Sequence, residues 1–272
     1  MYSMLCKKRF TTENIPDLTG KVAIVTGGNT GIGYIIAREL SRKNAHVFIA
    51  TRNKERGEGA VEKIKNETGN NQVEFLHLDL ISLKLVKQSA ENFLSKNLPL
   101  HILINNAGVM ATPWSLTEDG IQDQFGVNYV GHFLFTMTLL PKIEASTPSR
   151  IVNMGSEAHR YAYTGVEFDK INQEDAQSAF QRYCASKVAM ILFTESLSKR
   201  LEGKEVYVNS AHPGFVATEI SRGPISTYGF IADISFRFAN MFTRNLNQRR
   251  LTFSDMKILR SKSPQQNYGI IS

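Results

Sequence analysis

Short apolar runs alternate with longer amphipathic segments along most of this 272-residue chain. The runs are four to six residues long and rich in β-branched or aromatic residues, which predicts buried strands. They are VAIVT at 22–26, HVFIA at 46–50, VEFLHL at 73–78, HILI at 101–104, RIVNM at 150–154 and VYVNSA at 206–211. The intervening helical patterns lie at about 31–42, 54–67, 82–96, 118–145 and 178–202. A strand followed by a helix, repeated five times, predicts an α/β fold with a doubly wound parallel sheet and helices on both faces.

The composition favours an ordinary globular protein. Hydrophobic residues make up 42% of the chain, and no apolar stretch approaches the roughly 18 residues that a bilayer span needs. The N-terminal residues lack the order of a secretory signal peptide. Two cysteines, Cys6 and Cys184, are too few for a disulfide framework and indicate no metal site. We expect a cytoplasmic protein without a transmembrane segment, and peripheral association with a membrane stays open.

The net charge of +7 is compatible with a nucleic acid, a membrane surface or an anionic cofactor. The basic residues are mostly scattered, and the local excess at 249–262 is typical of a solvated tail. No aromatic stripe is interleaved with them, so we expect no nucleic-acid partner.

A glycine-rich stretch, TGGNTGIG at 26–33, joins the first predicted strand to the first predicted helix. Gly27 permits the tight turn, Gly31 lets a pyrophosphate approach the backbone, and Gly33 allows close packing of helix on strand. Amides at the start of the helix are free to face an anion. A glycine-rich turn alone is weak evidence, but this position at the head of a doubly wound chain predicts a dinucleotide site.

The end of the second strand bears on which dinucleotide is bound. A chain that prefers NAD places Asp or Glu there for the ribose hydroxyls, whereas this chain has Thr51 and Arg52 in IATRN. A cationic side chain favours a 2′-phosphate, so the sequence favours NADP(H) over NAD(H). A surface arginine at a strand end is the alternative interpretation.

Two further strand ends carry candidate ligand contacts. Asp79 ends the third strand, where it can accept from an adenine amino group or cap the helix that starts near Ser82. NNAG at 105–108 ends the fourth strand, and Ala107 and Gly108 keep side chains out of a ligand's way. The adjacent asparagines can instead satisfy the backbone of a turn.

Tyr183 and Lys187 lie four positions apart in a predicted helix and therefore on one face. A free tyrosine has a pKa of about 10 and is a poor base at neutral pH, but a nearby cation lowers the pKa of an acid by about 1 to 3 units. Tuned in this way, Tyr183 could exchange a proton with a substrate oxygen. The spacing also arises by chance, so its context decides.

That context includes Ser156, just after the fifth strand, and Asn128, in the long helical segment. The Ser156 hydroxyl can bond the same substrate oxygen as Tyr183, although a serine at a strand end is more often a turn residue. Asparagine inside a helix next to Gly131 indicates a local distortion, and its amide could hold a water that links Lys187 to solvent. A tolerated polar residue is the alternative for Asn128.

These segments together resemble the short-chain dehydrogenase/reductase superfamily over residues 10 to about 220, in order and spacing. The motifs are TGGNTGIG, Asp79, NNAG, Asn128, Ser156, YCASK at 183–187 and HPGFVAT at 212–218. DLTGKVAIVTGGNTGIG, VNYVGHFLFT and IVNMGSEAH are similar to the retinol-dehydrogenase-like branch. The resemblance implies a Rossmann-like fold and hydride transfer between NADP(H) and an alcohol or carbonyl compound.

The resemblance also implies roles for individual residues. Tyr183 would be the general acid/base, Lys187 would bind the nicotinamide ribose and lower the pKa of the tyrosine, Ser156 would orient the substrate oxygen, and Asn128 would serve the proton relay. The residues expected to contact the cofactor are Gly27, Asn29, Gly31, Ile32, Gly33, Arg52, Asp79, Leu80, Asn106, Ala107, Gly108, Tyr183, Lys187, Pro213, Gly214, Val216 and Thr218. A catalytically silent NADP-binding protein with a regulatory or partner-binding role is the competing hypothesis.

The chain is expected to form an N-terminal arm, residues 1–19, and a single dinucleotide-binding catalytic domain, residues 20–272. Within that domain, 219–245 is expected to form a substrate lid, whose aromatic residues suit a lipophilic alcohol, aldehyde or ketone. These residues are Tyr228, Phe230, Phe236, Phe238 and Phe242.

The C-terminal end departs from the pattern of the superfamily. After MFTRNLNQ the relatives continue with an alanine- and threonine-rich helix and a last strand, whereas no final strand is evident in 246–272 here. An unpaired sheet edge would weaken stability or assembly. We therefore expect an atypical tail, and a homodimer stays open. Gly155 also stands where the branch often has a first serine, which leaves Ser156 available.

Overall fold

The computed structural model describes residues 11–213, residue 227 and the backbone of residues 257–259. Among these described residues, seven strands form one sheet. They are β1 (Val22–Thr26), β2 (His46–Thr51), β3 (Val73–His77), β4 (Ile102–Asn105), β5 (Ser149–Met154), β6 (Val206–His212) and β7 (Lys257–Leu259). The predicted lid at 219–245 lies outside the described residues apart from Thr227, and so do Gly214, Val216 and Thr218.

Between residues 22 and 212, six α-helices connect the strands, and 3₁₀ turns occur there as well. The α-helices are α1 (Gly31–Arg42), α2 (Lys54–Thr68), α3 (Leu83–Leu94), α4 (Asp123–Phe125), α5 (Gly131–Glu144) and α6 (Ala179–Arg200). A π-helical turn, Gly126–Val130, joins α4 to α5. Among the described residues, no helix combines the length and the apolar character that crossing a membrane requires.

The strand order is β3-β2-β1-β4-β5-β6-β7, with parallel pairing between all neighbours except β6 and β7. This confirms the predicted doubly wound, Rossmann-like sheet. The order reverses between β1 and β4, which is the switch point where ligands bind in open α/β sheets. The carboxyl ends of β1, β4 and β5 therefore carry the glycine-rich turn, NNAG and Ser156 to the same edge.

The hydrophobic core lies on both faces of the sheet because successive strand residues point to opposite sides. In β1, Ile24 joins the cluster under α3, α5 and α6, whereas Val25 joins the cluster under α1 and α2. All five residues of β1 are buried, as expected for a strand that is covered on both faces.

Two predictions about elements were wrong. The long helix expected at 118–145 begins only at Asp123, because residues 116–122 close a loop through a bridge between Leu116 and Gln122. The tail was expected to lack a final strand, yet 257–259 pairs antiparallel with the end of β6. Three residues are too few to show a strand period, which explains why this pairing was missed.

Candidate active site

Tyr183 and Lys187 lie on the first half of α6, on the face that packs against the sheet. Their segment is helical because it starts at a capping box, in which Ser178 Oγ accepts from the Gln181 amide at 3.2 Å and Gln181 Oε1 accepts from the Ser178 amide at 3.1 Å. Both side chains are buried, with 4% of each residue exposed. The helix therefore places a phenol and an amine side by side beneath the ligand edge of the sheet.

The ammonium of Lys187 is held by the sheet. Its Nζ donates to the Met154 carbonyl oxygen, at the end of β5, at 3.0 Å. The same nitrogen lies 5.6 Å from the centroid of the Tyr183 ring. Burial lowers the pKa of Lys187 to about 8, because the apolar surroundings disfavour the charged form. Lys187 is therefore still mostly protonated at neutral pH.

The phenol of Tyr183 is held in its protonated form. Burial raises its pKa to about 12, and a hydrogen bond with Ser156 opposes this rise only in part. Burial thus acts against the lowering of this pKa that was expected from Lys187, and the pKa lies above its ordinary value. At neutral pH, Tyr183 is a proton donor.

Ser156 follows β5 by two residues and combines the two interpretations of the sequence. Its Oγ accepts from the Ala158 amide at 3.2 Å and caps the 3₁₀ turn Glu157–Tyr161. The same side chain forms the hydrogen bond with Tyr183. Ser156 is thus both a turn residue and a neighbour of the phenol.

Asn128 lies in the π-helical turn, which confirms the predicted distortion. Its amide is bonded within the protein: Nδ2 donates to the Val109 carbonyl at 2.9 Å and to Ser186 Oγ at 3.0 Å, and Oδ1 accepts from the Val109 amide at 2.8 Å. Oδ1 has a second acceptor position, and the water at this amide stays a prediction. The amide joins the segment after β4 to α6, next to Tyr183 and Lys187.

The glycine-rich turn has the shape of a phosphate cradle. Gly27 and Gly31 have φ of +64° and +56°, which side chains rarely adopt. A Cβ at Gly33 would lie 2.4 Å from the Gly27 carbonyl oxygen, so only glycine allows the first turn of α1 to approach so closely. No side chain caps α1 at Thr30, and its first amides remain available to an anion. The turn therefore fits a dinucleotide.

Thr26, which the sequence analysis did not assign, joins the cradle to NNAG. Its Oγ1 accepts from the Asn106 amide at 2.8 Å and from the Ala107 amide at 2.9 Å. Asn106 Nδ2 in turn donates to the Thr26 carbonyl oxygen at 2.9 Å. Asn106 thus holds the turn, as the alternative interpretation of NNAG had it, while Asn105 points into the core toward Thr136.

Gly108 brings the cradle next to the candidate catalytic residues. A Cβ there would lie 3.0 Å from Asn128 Oδ1 and 3.7 Å from Lys187 Nζ. Leu80 approaches the same helix segment through Gly131, where a Cβ would lie 3.0 Å from Leu80 Cδ2. The missing side chains at these two glycines therefore determine how closely the site is assembled.

The remaining predicted contacts are distributed along the same edge. Arg52 is exposed just beyond β2 and forms no ion pair with any residue that the structure describes. Asp79 Oδ1 accepts from the Ile81 amide at 3.2 Å, whereas Asp119 caps α3 by accepting from the Leu83 amide at 2.8 Å. The helix-capping interpretation of Asp79 is therefore wrong. The half-buried residues Asn29, Ile32 and Pro213 complete the described part of the set.

Comparison with known protein families gives a consistent result. Residues 21–168 and 171–227 match the family model described as short chain dehydrogenase. Human retinol dehydrogenase 13 is 47% identical over 206 residues, which are 75% of this chain and 62% of that protein. Mouse retinol dehydrogenase 11 is 47% identical over 211 residues, which are 78% of this chain and 66% of that protein. An uncharacterized oxidoreductase of Schizosaccharomyces pombe is 43% identical over 229 residues, which are 81% of this chain and 68% of that protein. The chain thus spans 62% to 68% of the length of these relatives.

Solved structures resemble this chain over most of its length. An uncharacterized protein from Mycobacterium paratuberculosis has a TM-score of 0.67 at 33% identity, covering 85% of this chain and 81% of that one. RhlG of Pseudomonas aeruginosa, solved as an NADP active-site complex, has a TM-score of 0.61 at 28% identity, covering 76% of this chain and 77% of that one. The similarity thus extends to a structure solved with a nicotinamide cofactor.

Proposed function

This chain belongs to the short-chain dehydrogenase/reductase family and to its retinol-dehydrogenase-like branch, and on that premise we propose that Tyr183 serves it as general acid/base. As a member of the family, the protein is a hydride-transferring oxidoreductase that binds a nicotinamide cofactor. We propose that this cofactor is NADP(H) and that the substrate is a lipophilic alcohol, aldehyde or ketone. The observation that supports the proposal most strongly is the buried contact of Tyr183 with Ser156 and Lys187, beside the cradle.

The chemistry assigned to the chain's own residues is proton transfer. In the reducing direction, Tyr183 donates its phenolic proton to the carbonyl oxygen of the substrate, since its pKa of about 12 keeps that proton in place at neutral pH. Ser156 donates to the same oxygen and orients it. Lys187 stabilises the phenolate that remains, because a cation near a phenolate favours the ionised form.

A bound nicotinamide would supply the hydride and, when oxidised, a positive charge. The amides at the start of α1 and the glycines of the cradle would hold the cofactor. Lys187 is assigned to the nicotinamide ribose, and the support is that its Nζ lies 3.7 Å from the position of a Cβ at Gly108, in the segment that adjoins the cradle.

Preference for NADP(H) is assigned to Arg52. Its guanidinium is exposed at the end of β2 and has no carboxylate partner among the described residues, so it is available to a 2′-phosphate. Asp79, which does not cap α3, is assigned to the adenine amino group.

The lipophilic substrate is supported by the retinol dehydrogenases among the relatives and by exposed aromatic side chains in the segment that follows Ser156. Tyr163 is 85% exposed and Phe168 is 74% exposed in the segment between β5 and α6, which is unusual for large aromatic residues. They can form part of the substrate entrance.

We also propose a homodimer, which light scattering of the purified protein would test.

Turnover of NADPH with a panel of hydrophobic aldehydes and ketones tests the proposal, with Tyr183→Phe as the variant. We expect Tyr183→Phe to lose about 10²- to 10⁴-fold in kcat while NADPH still binds. Tyr207→Phe is the matched control, since Tyr207 lies on β6 at the opposite end of the sheet and should turn over normally. Binding of NADPH without turnover of any substrate by the parent protein would instead favour a regulatory role.

Arg52→Asp tests the assignment of the cofactor. We expect the ratio of kcat/KM for NADPH to that for NADH to fall at least tenfold, because a carboxylate repels a 2′-phosphate and accepts from ribose hydroxyls. Lys199→Asp changes the net charge equally at the far end of α6 and should leave the ratio unchanged. An equal ratio in parent and Arg52→Asp would refute the role of Arg52.

A further inference from the structure

His132 is a buried imidazole between the cofactor cradle and Asn128. It is the second residue of α5 and has no exposed surface. Its Nε2 lies 2.9 Å from Thr26 Oγ1, and its Nδ1 lies 3.3 Å from the backbone carbonyl oxygen of Asn128. One ring therefore contacts both the end of β1, where the glycine-rich turn starts, and the π-helical turn.

The hydrogen bonds of Thr26 determine which ring nitrogen carries the proton. A hydroxyl has one donor and two acceptor positions. Thr26 Oγ1 already accepts from the amides of Asn106 and Ala107, so its own proton must be donated to His132 Nε2. Nε2 is then an acceptor, and the ring proton lies on Nδ1. From there it can be donated to the carbonyl oxygen of Asn128.

We propose that His132 is a positioning residue that couples the cofactor cradle to Asn128, as a neutral imidazole with its proton on Nδ1. The chain of donors runs from the amides of Asn106 and Ala107 through Thr26 and His132 to the carbonyl of Asn128. The ring keeps the Thr26 hydroxyl oriented so that both amides of NNAG stay bonded to it. It also fixes the backbone of the π-helical turn from which the Asn128 amide holds Val109 and Ser186.

The charge of the ring agrees with this arrangement. Burial lowers the pKa of His132 to about 3, and the charge of Lys187 acts in the same direction. The carbonyls of Asn128 and Val127 oppose these effects without outweighing them. The ring is therefore neutral at physiological pH, and a neutral ring has one donor and one acceptor, as the two contacts require.

Two substitutions separate the two contacts of the ring. His132→Gln keeps an amide oxygen that can accept from Thr26, whereas His132→Phe removes both contacts at similar shape. Thr136→Val is the matched control, because Thr136 lies one turn further along α5, is equally buried, and accepts from Asn105 instead of from the cradle. The role of His132 rests on the proposed function, so the experiment includes a measurement that needs no cofactor.

That measurement is ¹⁵N NMR of the imidazole in the parent protein at neutral pH, which reports the protonation of each ring nitrogen. We expect Nδ1 to be protonated and Nε2 to be unprotonated. A proton on Nε2, or on both nitrogens, would overturn the inference whether or not the protein binds NADPH. If the parent fails to bind NADPH, the proposed function is wrong, and the tautomer still tests the proposed hydrogen bonds of His132.

The second measurement is the Kd for NADPH, by fluorescence titration, alongside the thermal midpoint. We expect His132→Phe to raise Kd roughly tenfold, because a buried hydroxyl is left without an acceptor. We expect His132→Gln to stay within about threefold of the parent, and Thr136→Val to lower the thermal midpoint with Kd unchanged. Equal values of Kd for the Gln and Phe variants, or an equal rise in Thr136→Val, would reduce His132 to an ordinary core residue.

Discussion

Burial of Lys187 makes the stability of the protein depend on pH in a way that one substitution should remove. The pKa of this lysine falls from 10.5 to about 8 on folding. Between these two values the unfolded chain keeps its proton while the folded protein releases it, so the free energy of unfolding rises with pH. One pKa unit corresponds to about 1.4 kcal/mol, so the free energy of unfolding rises by about 3 kcal/mol in total. About 2.5 kcal/mol of this develops between about pH 7 and about pH 10.

Lys187→Met replaces the ammonium by an apolar group of similar length and abolishes this contribution. We expect the free energy of unfolding of the parent to rise relative to that of Lys187→Met by about 2.5 kcal/mol over that pH range. Urea denaturation of both proteins at several pH values, without cofactor, measures the difference. Other groups that titrate, including Tyr183, are common to both proteins and cancel in it.

Lys199→Met is the control, because Lys199 lies on the same helix with 73% of its side chain exposed. Its stability should run parallel to that of the parent at every pH. If Lys187→Met also runs parallel to the parent, then Lys187 is not desolvated as the structure has it.

Two further predictions concern packing. Gly33→Ala should lower stability by about 1–3 kcal/mol and weaken NADPH binding, because its Cβ would lie 2.4 Å from the Gly27 carbonyl oxygen. The control is Gly59→Ala in α2, whose Cβ would meet nothing within 4 Å and which should be neutral or stabilising. Thermal unfolding with and without NADPH measures both variants, and equal effects would contradict the close packing at Gly33. Cys184 is fully buried and burial raises its pKa to about 11, so alkylation followed by mass spectrometry should label it only after unfolding, and rapid labelling of the native protein would contradict its burial.

The period of the apolar residues was sufficient to predict most of the fold. β1 and α1 have the predicted bounds, β2, β3, β5 and β6 differ from prediction by one residue at one end, and β4 is shifted by one residue. The prediction failed where local pattern carries little information. A helix period continues through residues 118–122, but the fold there is decided by hydrogen bonds such as that from the Gln122 amide to Asn172 Oδ1, 50 positions away.

The candidate site was predictable only in part, for a similar reason. Tyr183 and Lys187 were visible because their spacing places them on one helix face, and Asn128 was visible because asparagine is a poor helix former. Thr26 and His132 gave no such signal, since their hydrogen bonds join residues about one hundred positions apart. Buried polar groups need partners, and only the fold shows which partners they have.

The hydrogen bonds of the fold also explain how two basic side chains, Lys187 and His132, can be buried in one site. A second cation near Lys187 would disfavour the charged form of Lys187, and that charged form is what stabilises the phenolate of Tyr183. His132 avoids this conflict because Thr26 donates to its Nε2, and a nitrogen that accepts a hydrogen bond cannot hold a proton. The neutrality of His132 thus follows from the hydrogen bonds of the cradle. A change at Thr26 should therefore affect the charge distribution around Lys187 as well as the binding of the cofactor.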